Sequence, residues 1–343
     1  MQSDHTSNNT IGLPQDLVPF LMDGVCEYAS IKKDGTPITS PVIPFPGEDG
    51  RTIDVQTGIT YSSKAERARK NPQVCLLYSE PKASPVEWPP TVLVYGQACV
   101  YDSDLQANTD RYVRMNLTRF TLFRMLPAFI LRPMDGYFAR IWIAVTPLKI
   151  LWWPEGDMGA TPQQWHAAEG TQAPSSDPPP EPLPTPHKHL VDPSTDWRKD
   201  IAYAFDRLGK PIITVVDEDG YPVPFRARGG SLEADGVHLD LPSAMPVESR
   251  GRACLTFHTL KVQKGQMVKN ENMSFIGEVS GDGGVALFKV ERCLPNVGFS
   301  RDPAGVVSLI LIFIRMRKRL EVEAARRGQS VPAVHKPEGY SNL

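Results

Sequence analysis

Asp34-Gly35-Thr36-Pro37 recurs as Asp219-Gly220-Tyr221-Pro222, and this repetition decides how the chain is read. Each copy is followed at a similar interval by a second turn signal, Asp49-Gly50 in the first and Asp235-Gly236 in the second. Asp-Gly between apolar runs marks a β-hairpin, because both central residues of a type I′ turn need positive φ. After the first pair the chain runs through Thr57-Gly58-Ile59-Thr60-Tyr61-Ser62-Ser63-Lys64 into a basic segment. The matching stretch after the second pair is shorter and holds no lysine. The sequence reads as a duplicated β module in which one copy keeps an anion-binding segment.

Outward from the first turn, alternating apolar residues predict strands over 26–31, 38–45, 52–56, 74–78 and 91–101. Helices are expected over 17–22, over 63–71, where Pro72 stops it, and over 104–126. A strand pair over 137–153, interrupted at Thr146-Pro147, closes the module, and Gly96 inside a strand predicts a bulge or close backbone approach. In the second copy a helix over 199–208 precedes strands over 212–216, 223–227, 236–241, 253–258, 274–279 and 285–291. Gly277-Glu278-Val279 matches Gly96-Gln97-Ala98, and residues 286–290 align with 139–143.

The domain plan is a first module over 16–153, a linker over 154–196, a second module over 197–300 and a helix with tail over 301–343. Ten prolines between Pro154 and Pro193 make the linker semi-extended. The final helix, about 303–327, is apolar at its start and basic at its end, as the helix dipole favours. Short strands with regular turn signals predict a mainly β, α+β chain of two tandem small barrels or sandwiches.

Composition agrees with two ordinary globular units: 343 residues, 41% hydrophobic, 22% charged, formal net charge −2. That charge gives no global attraction to nucleic acid or a membrane surface. Five cysteines without a C-x-x-C pair predict reduced, buried thiols and a cytoplasmic protein. Cys75 and Cys254 hold matching places in the repeat, which favours packing over catalysis. The N-terminus lacks a basic start before an apolar stretch, and the longest apolar run, 306–314, falls short of the ~20 residues a membrane span needs. A soluble protein is expected.

The chemistry concentrates in Thr57 to Lys64. A strand ends, hydroxyls follow, and a lysine enters the first turn of a helix, where backbone N–H groups and the dipole favour an anion. Ser62 and Ser63 can donate hydrogen bonds and Lys64 supplies a point charge suited to phosphate. From these residues alone, a serine that simply caps the helix beside a solvated Lys64 is an equal reading. His187-Lys188-His189 in the linker lacks nearby acids or thiols for a metal site. Trp142, Trp152 and Trp153 read as core or interface aromatics, and Trp88 also as a candidate border of a ring-binding cleft.

The order Asp34-Gly35-Thr36-Pro37, Ser40-Pro41-Val42, Thr57, Ser62-Ser63-Lys64, Asn71-Pro72-Gln73-Val74 resembles the pyridoxamine 5′-phosphate oxidase-like, flavin-binding split-barrel superfamily, which includes deazaflavin (F420)-dependent reductases. Val94-Tyr95-Gly96-Gln97-Ala98 and Thr146-Pro147-Leu148-Lys149-Ile150 add to the likeness, which covers 20–153 well and the second copy faintly. The resemblance implies two split barrels docked as an intramolecular pseudo-dimer, with further homo-oligomerisation left open. It implies that Ser62, Ser63 and Lys64 hold a cofactor phosphate, that Pro41 and Val42 lie along the flavin ring, and that Thr57 sits near the ribityl chain. Arg67 is a further phosphate candidate, against a solvated helix face. FMN suits the terminal-phosphate reading, while Arg67, Arg69 and Lys70 would suit the acidic tail of F420, the alternative. The implied activity is an FMN-dependent oxidoreductase on a small molecule. A non-catalytic flavin-binding or sensor protein, or a purely structural pseudo-dimer, remains open. No Arg-x-His follows the closing strands, so oxidation of pyridoxamine phosphate itself is not implied. In the second copy, Pro242 and Pro246 argue against a helix, so one cofactor per chain is expected, with the second module as the far wall of its site.

Overall fold

The structure, a computed structural model, describes residues 13–335 except 23, 49, 81–83, 85, 120–134, 186, 243–247, 249, 264–265, 283 and 296–302. Two curled antiparallel half-barrel sheets dominate it. The first holds β1 (Cys26–Ile31), β2 (Pro37–Val42), β3 (Phe45–Pro46), β4 (Ile53–Gly58), β5 (Gln73–Tyr78), β6 (Thr91–Tyr101) and β7 (Arg140–Trp153). The second holds β9 (Ile212–Val216), β10 (Pro222–Arg226), β11 (Gly229–Leu232), β12 (Val237–Asp240), β13 (Arg250–Gln263), β14 (Gln266–Asp282) and β15 (Val285–Cys293). Their strand orders are β2-β1-β5-β6-β7-β4-β3 and β10-β9-β13-β14-β15-β12-β11, the same path run twice. The chain is a tandem duplication at the level of topology.

The twin turns close alike but not as type I′. Gly35 N–H bonds Lys32 O at 3.0 Å and Lys32 N–H bonds Thr36 O at 2.9 Å; Gly220 to Asp217 and Asp217 to Tyr221 repeat this at 3.1 and 3.0 Å. Glycine is thus the last residue of a four-residue turn, at φ 80° and 84°, and supplies the left-handed step of a bulged hairpin. Gly96 sits at the expected bulge, where the β6–β7 register shifts between Tyr95 and Gly96. A Cβ there would lie 2.6 Å from Val145 Cγ1 and 2.8 Å from Thr146 O. The bulge also lets Pro147 stand opposite Gly96, so β7 runs unbroken where an interrupted pair was expected. In the second sheet the shift falls between Ile276 and Gly277, with Val290 facing Gly277. Val290 is therefore the counterpart of Pro147, and aligning 286–290 with 139–143 is four residues out of step.

Both faces of the first sheet are buried. Tyr28, Val74, Leu76, Val92, Val94 and Ile150 fill its own barrel. Ala29, Cys75, Leu77, Leu93, Tyr95, Leu151 and Trp153 turn the other way into a core shared with Ile213, Val223, Phe225, Leu255, Phe275 and Phe288 of the second module. The five cysteines are buried and free, and Cys75 and Cys254 occupy matching register positions. Trp142 and Trp153 are among the largest fully buried side chains.

Six helices complete the described residues: α1 (Val18–Leu21), α2 (Ser63–Lys70), α3 (Leu105–Arg119), α4 (Asp135–Phe138), α5 (Trp197–Arg207) and α6 (Pro303–Ala325). The sequence-expected extension of α3 to 126 lies outside the described residues, as does most of the proline-broken stretch after Leu241. Although α6 follows the second module, its Leu320 and Ala324 pack into the first barrel's core. Its last turn carries no basic residue; Arg326 and Arg327 lie just beyond it, both pair with the Glu323 carboxylate, and Arg327 also donates to the Glu323 carbonyl at the helix end at 2.9 Å. The proline-rich stretch is no free tether. It adds β8 (Gln163–His166) to β7, and Ser176 and Asp177 bind the edge of β6. Further on, the Leu190 carbonyl accepts from Arg315, and Lys188 O accepts from Arg319.

A buried charge cluster crosses the module interface. Glu27 on β1, fully buried, accepts from His258 Nε2 at 2.7 Å, from Arg226 Nη2 at 2.9 Å and from Ser79 Oγ at 3.1 Å. Burial alone would raise its carboxyl pKa, but these bonds and charges outweigh burial and lower it. The folded pKa lies below the unfolded one, so the stabilisation is present above about pH 4.3 and is lost as pH falls through the folded value. Glu27→Ala takes the carboxylate from the buried His258 imidazole and leaves Arg226 only the Glu80 carboxylate at 3.7 Å, and should cost about 3 kcal/mol at pH 7. Urea unfolding at pH 7 and pH 3 should show that deficit shrinking at the lower pH; a constant deficit would contradict the assignment.

Candidate functional site

Between the barrels lies a cavity of about 1270 Å³ whose wall includes Pro41, Val42, Thr57, Ser62, Ser63, Lys64 and Arg67. The seven residues that the sequence offered for the cofactor thus line one space. Pro41 and Val42 end β2; Thr57 is the penultimate residue of β4, with its hydroxyl bonding Tyr61 O at 3.3 Å. A single 3-10 turn, Ile59–Tyr61, swings the chain from β4 into α2. Ser62 is the N-cap of α2 but makes no side-chain capping bond. Among the described residues, the Ser62 and Ser63 hydroxyls and the Lys64 ammonium have no hydrogen-bond partner, which sets this helix start apart from an ordinary capped one.

Lys64 is half-buried in the wall, and Arg67 reaches back to Ser30 Oγ at 2.9 Å. A third cation, Arg140 at the start of β7, is 3% exposed. Its Nη2 bonds the Tyr112 hydroxyl at 3.0 Å, its Nη1 lies 3.4 Å from the Tyr61 hydroxyl, and its guanidinium stacks 4.3 Å over the Tyr112 ring. The acids on the wall are already engaged: Glu66 with Arg327, Glu291 with Arg252, and Glu323 with His187, Arg326 and Arg327. Lys64, Arg67 and Arg140 have no carboxylate partner among the described residues. A cation taken from water without a counter-charge is costly, and an anion bound here would offset that cost. The Lys64 pKa records the same fact: burial and the nearby Arg67 and Arg140 charges bring it down from 10.5 to about 7.

The second module and the final helix complete the wall. Asn272, Cys293 and Leu294 come from the second barrel, Met316 and Arg319 from α6, and His187 to Val191 from the proline-rich stretch. Arg69 points elsewhere, pairing with buried Asp102, so it leaves the basic cluster that the sequence offered for an acidic tail. Trp88 is 85% exposed and borders a separate cavity of about 410 Å³. Arg140 was not among the residues singled out in the sequence; the available signal was a charged residue just before the apolar run Ile141 to Val145. No cluster of metal-ligating side chains exists among the described residues, and none of the described helices is long and apolar enough to cross a membrane.

Among solved structures, the chain is similar to general stress protein 26 of Bacillus anthracis, with 18% identity, 42% of this chain and 89% of that one covered, and a TM-score of 0.27. A pyridoxamine 5′-phosphate oxidase-related, FMN-binding protein of Nostoc punctiforme matches with 14% identity, 37% and 73% coverage and a TM-score of 0.26. An F420 reductase matches with 18% identity, 38% and 91% coverage and a TM-score of 0.27. No protein-family model and no curated protein matches the chain.

An anion seated on Lys64 requires its charged form. Above about pH 7 that proton must bind together with the anion, so affinity should fall as pH rises from 7 toward 10. Calorimetry with sulfate, whose own charge is constant in this range, should show proton uptake at pH 8.5. Binding without uptake would contradict the depressed pKa.

Proposed function

We propose that the cavity binds a phosphorylated flavin-type cofactor, FMN first and F420 as the alternative, and serves oxidoreduction of a small molecule. One observation carries the reading: hydroxyls without hydrogen-bond partners and cations without a carboxylate partner converge at the start of α2, facing a cavity large enough for a cofactor and a substrate. Ser62, Ser63, Lys64 and Arg67 would hold the phosphate, Thr57 would lie beside the chain leading to the ring, and Pro41 and Val42 would flank the ring. The engagement of Arg69 with Asp102 supports FMN over F420, since it removes one cation from the group an acidic tail would need. A bound flavin supplies the hydride chemistry, and the protein supplies position, charge and exclusion of water. The second barrel and α6 close the cavity from outside the first module, which supports one site built from the whole chain.

Lys64→Ala removes a charge-assisted contact worth about 1.5–3 kcal/mol and should weaken FMN binding roughly 10- to 100-fold. Arg250→Ala removes an exposed side chain paired with Glu248 and should leave affinity unchanged. Flavin fluorescence titration measures both, and equal losses would count against the site. Turnover is tested separately: the flavin-loaded protein should bleach with a reductant and recover its colour with an electron-accepting substrate. A protein that binds flavin but never cycles would be a sensor or carrier.

A further inference from the structure

We infer that the cavity holds a second anion subsite, built by Arg140 and the Tyr61 hydroxyl, for a phosphate or carboxylate other than the one on Lys64. The inference rests on reading the Ser62–Lys64 segment as the first subsite.

The charge balance requires it. A phosphate monoester carries about −1.5 to −2 near neutral pH. It faces three cations, Lys64, Arg67 and Arg140, with no carboxylate among them, and Arg319 from α6 lies on the same wall. One phosphate therefore leaves positive charge uncompensated beside the buried Arg140.

The donors require it too. Arg140 is more than nine-tenths buried, yet its Nε has no hydrogen-bond partner. Tyr61 accepts from Arg140, so its own O–H is free to donate, and no described residue receives it. Arg140 and Tyr61 both line the cavity, so the guanidinium and the Tyr61 O–H are the donors an oxyanion there would meet, the guanidinium being suited to a planar or tetrahedral one.

The backbone makes room for this pair. Gly58 ends β4 opposite Arg140, and a Cβ at that position would lie 2.9 Å from Arg140 Nη1 and 2.7 Å from Tyr61 Cζ. Any side chain at 58 would push both groups away. Stacking on Tyr112 and Tyr137 then fixes the guanidinium plane. The result is a rigid donor set beside the first subsite.

The second anionic group has two sources. It is either a further charged group of an extended cofactor, such as the second phosphate of FAD or an acidic tail, or the phosphate or carboxylate of the substrate. Equilibrium dialysis with radiolabelled inorganic phosphate tests the subsite without any flavin. The wild-type chain should bind two phosphates, whereas Arg140→Gln and Lys64→Ala should each bind one and lose different sites. Tyr61→Phe, a change at a partly exposed ring, should keep both but weaken one roughly 3- to 10-fold, which covers the case in which Arg140→Gln fails to fold. FMN-loaded protein should retain one phosphate. FAD-loaded protein should retain none if the cofactor supplies the second group, and one if the substrate does. A single phosphate on the wild type, or loss of the same site in both variants, would overturn the inference. Two phosphates with no affinity for any flavin would leave it standing and overturn the cofactor reading instead.

Discussion

A β-sheet with apolar side chains on both faces must be covered on both, and that constraint organises this molecule. In β5, Val74, Leu76 and Tyr78 face into the first barrel while Cys75 and Leu77 face out of it. The same alternation in β6 and β7 leaves an outer face carrying Tyr95, Leu151 and Trp153. The second barrel covers that face with its own core, so the two modules share one interior. Everything functional follows from this contact: it traps the Glu27 cluster, and it leaves a cavity where the barrels meet around the end of β2 and the start of α2.

The contact is symmetric in topology and asymmetric in chemistry. Matching Cys75 with Cys254 pairs Leu77 with Thr256 and Glu27 with Ile212, because Leu77 faces Glu27 and Thr256 faces Ile212. Glu27 in turn faces Pro41, and Ile212 faces Arg226. Arg226 therefore stands in the second copy where Pro41 stands in the first. At the position matching Pro41, proposed to flank a flat ring, the second copy places a guanidinium bonded to Glu27 and Ser79. The ion pair that joins the modules thus fills the place in the second copy that corresponds to Pro41. The final helix adds to the imbalance, since α6 lies across the first barrel alone and gives its wall Met316 and Arg319.

What was legible in the sequence was local. The Asp-Gly turns, the bulge at Gly96, the helix after Ser62 and the matched cysteines all follow from short-range preferences, and each has a counterpart in the structure. The turn type was misread because Asp-Gly also fits a four-residue turn in which only the glycine is left-handed. The alignment of 286–290 failed because similar apolar alternation fits several registers, and only the bulge opposite Val290 fixes one. The candidate residues from Pro41 to Arg67 were found because they lie in one continuous stretch. Arg140, Tyr112 and Arg319 were not, because tertiary packing brings them in from three other elements. The return of α6 onto the first barrel and the binding of the proline-rich stretch to β6 likewise depend on contacts far apart in sequence.

The central claim is that duplication has produced one ligand site and one lock. Calorimetric titration of the full chain with FMN reads this directly as a stoichiometry. The account predicts one equivalent per chain, unchanged when Arg226 is replaced by lysine and abolished at the same concentrations when Lys64 is replaced by glutamate. Two equivalents per chain, or one that survives the Lys64 substitution intact, would contradict it.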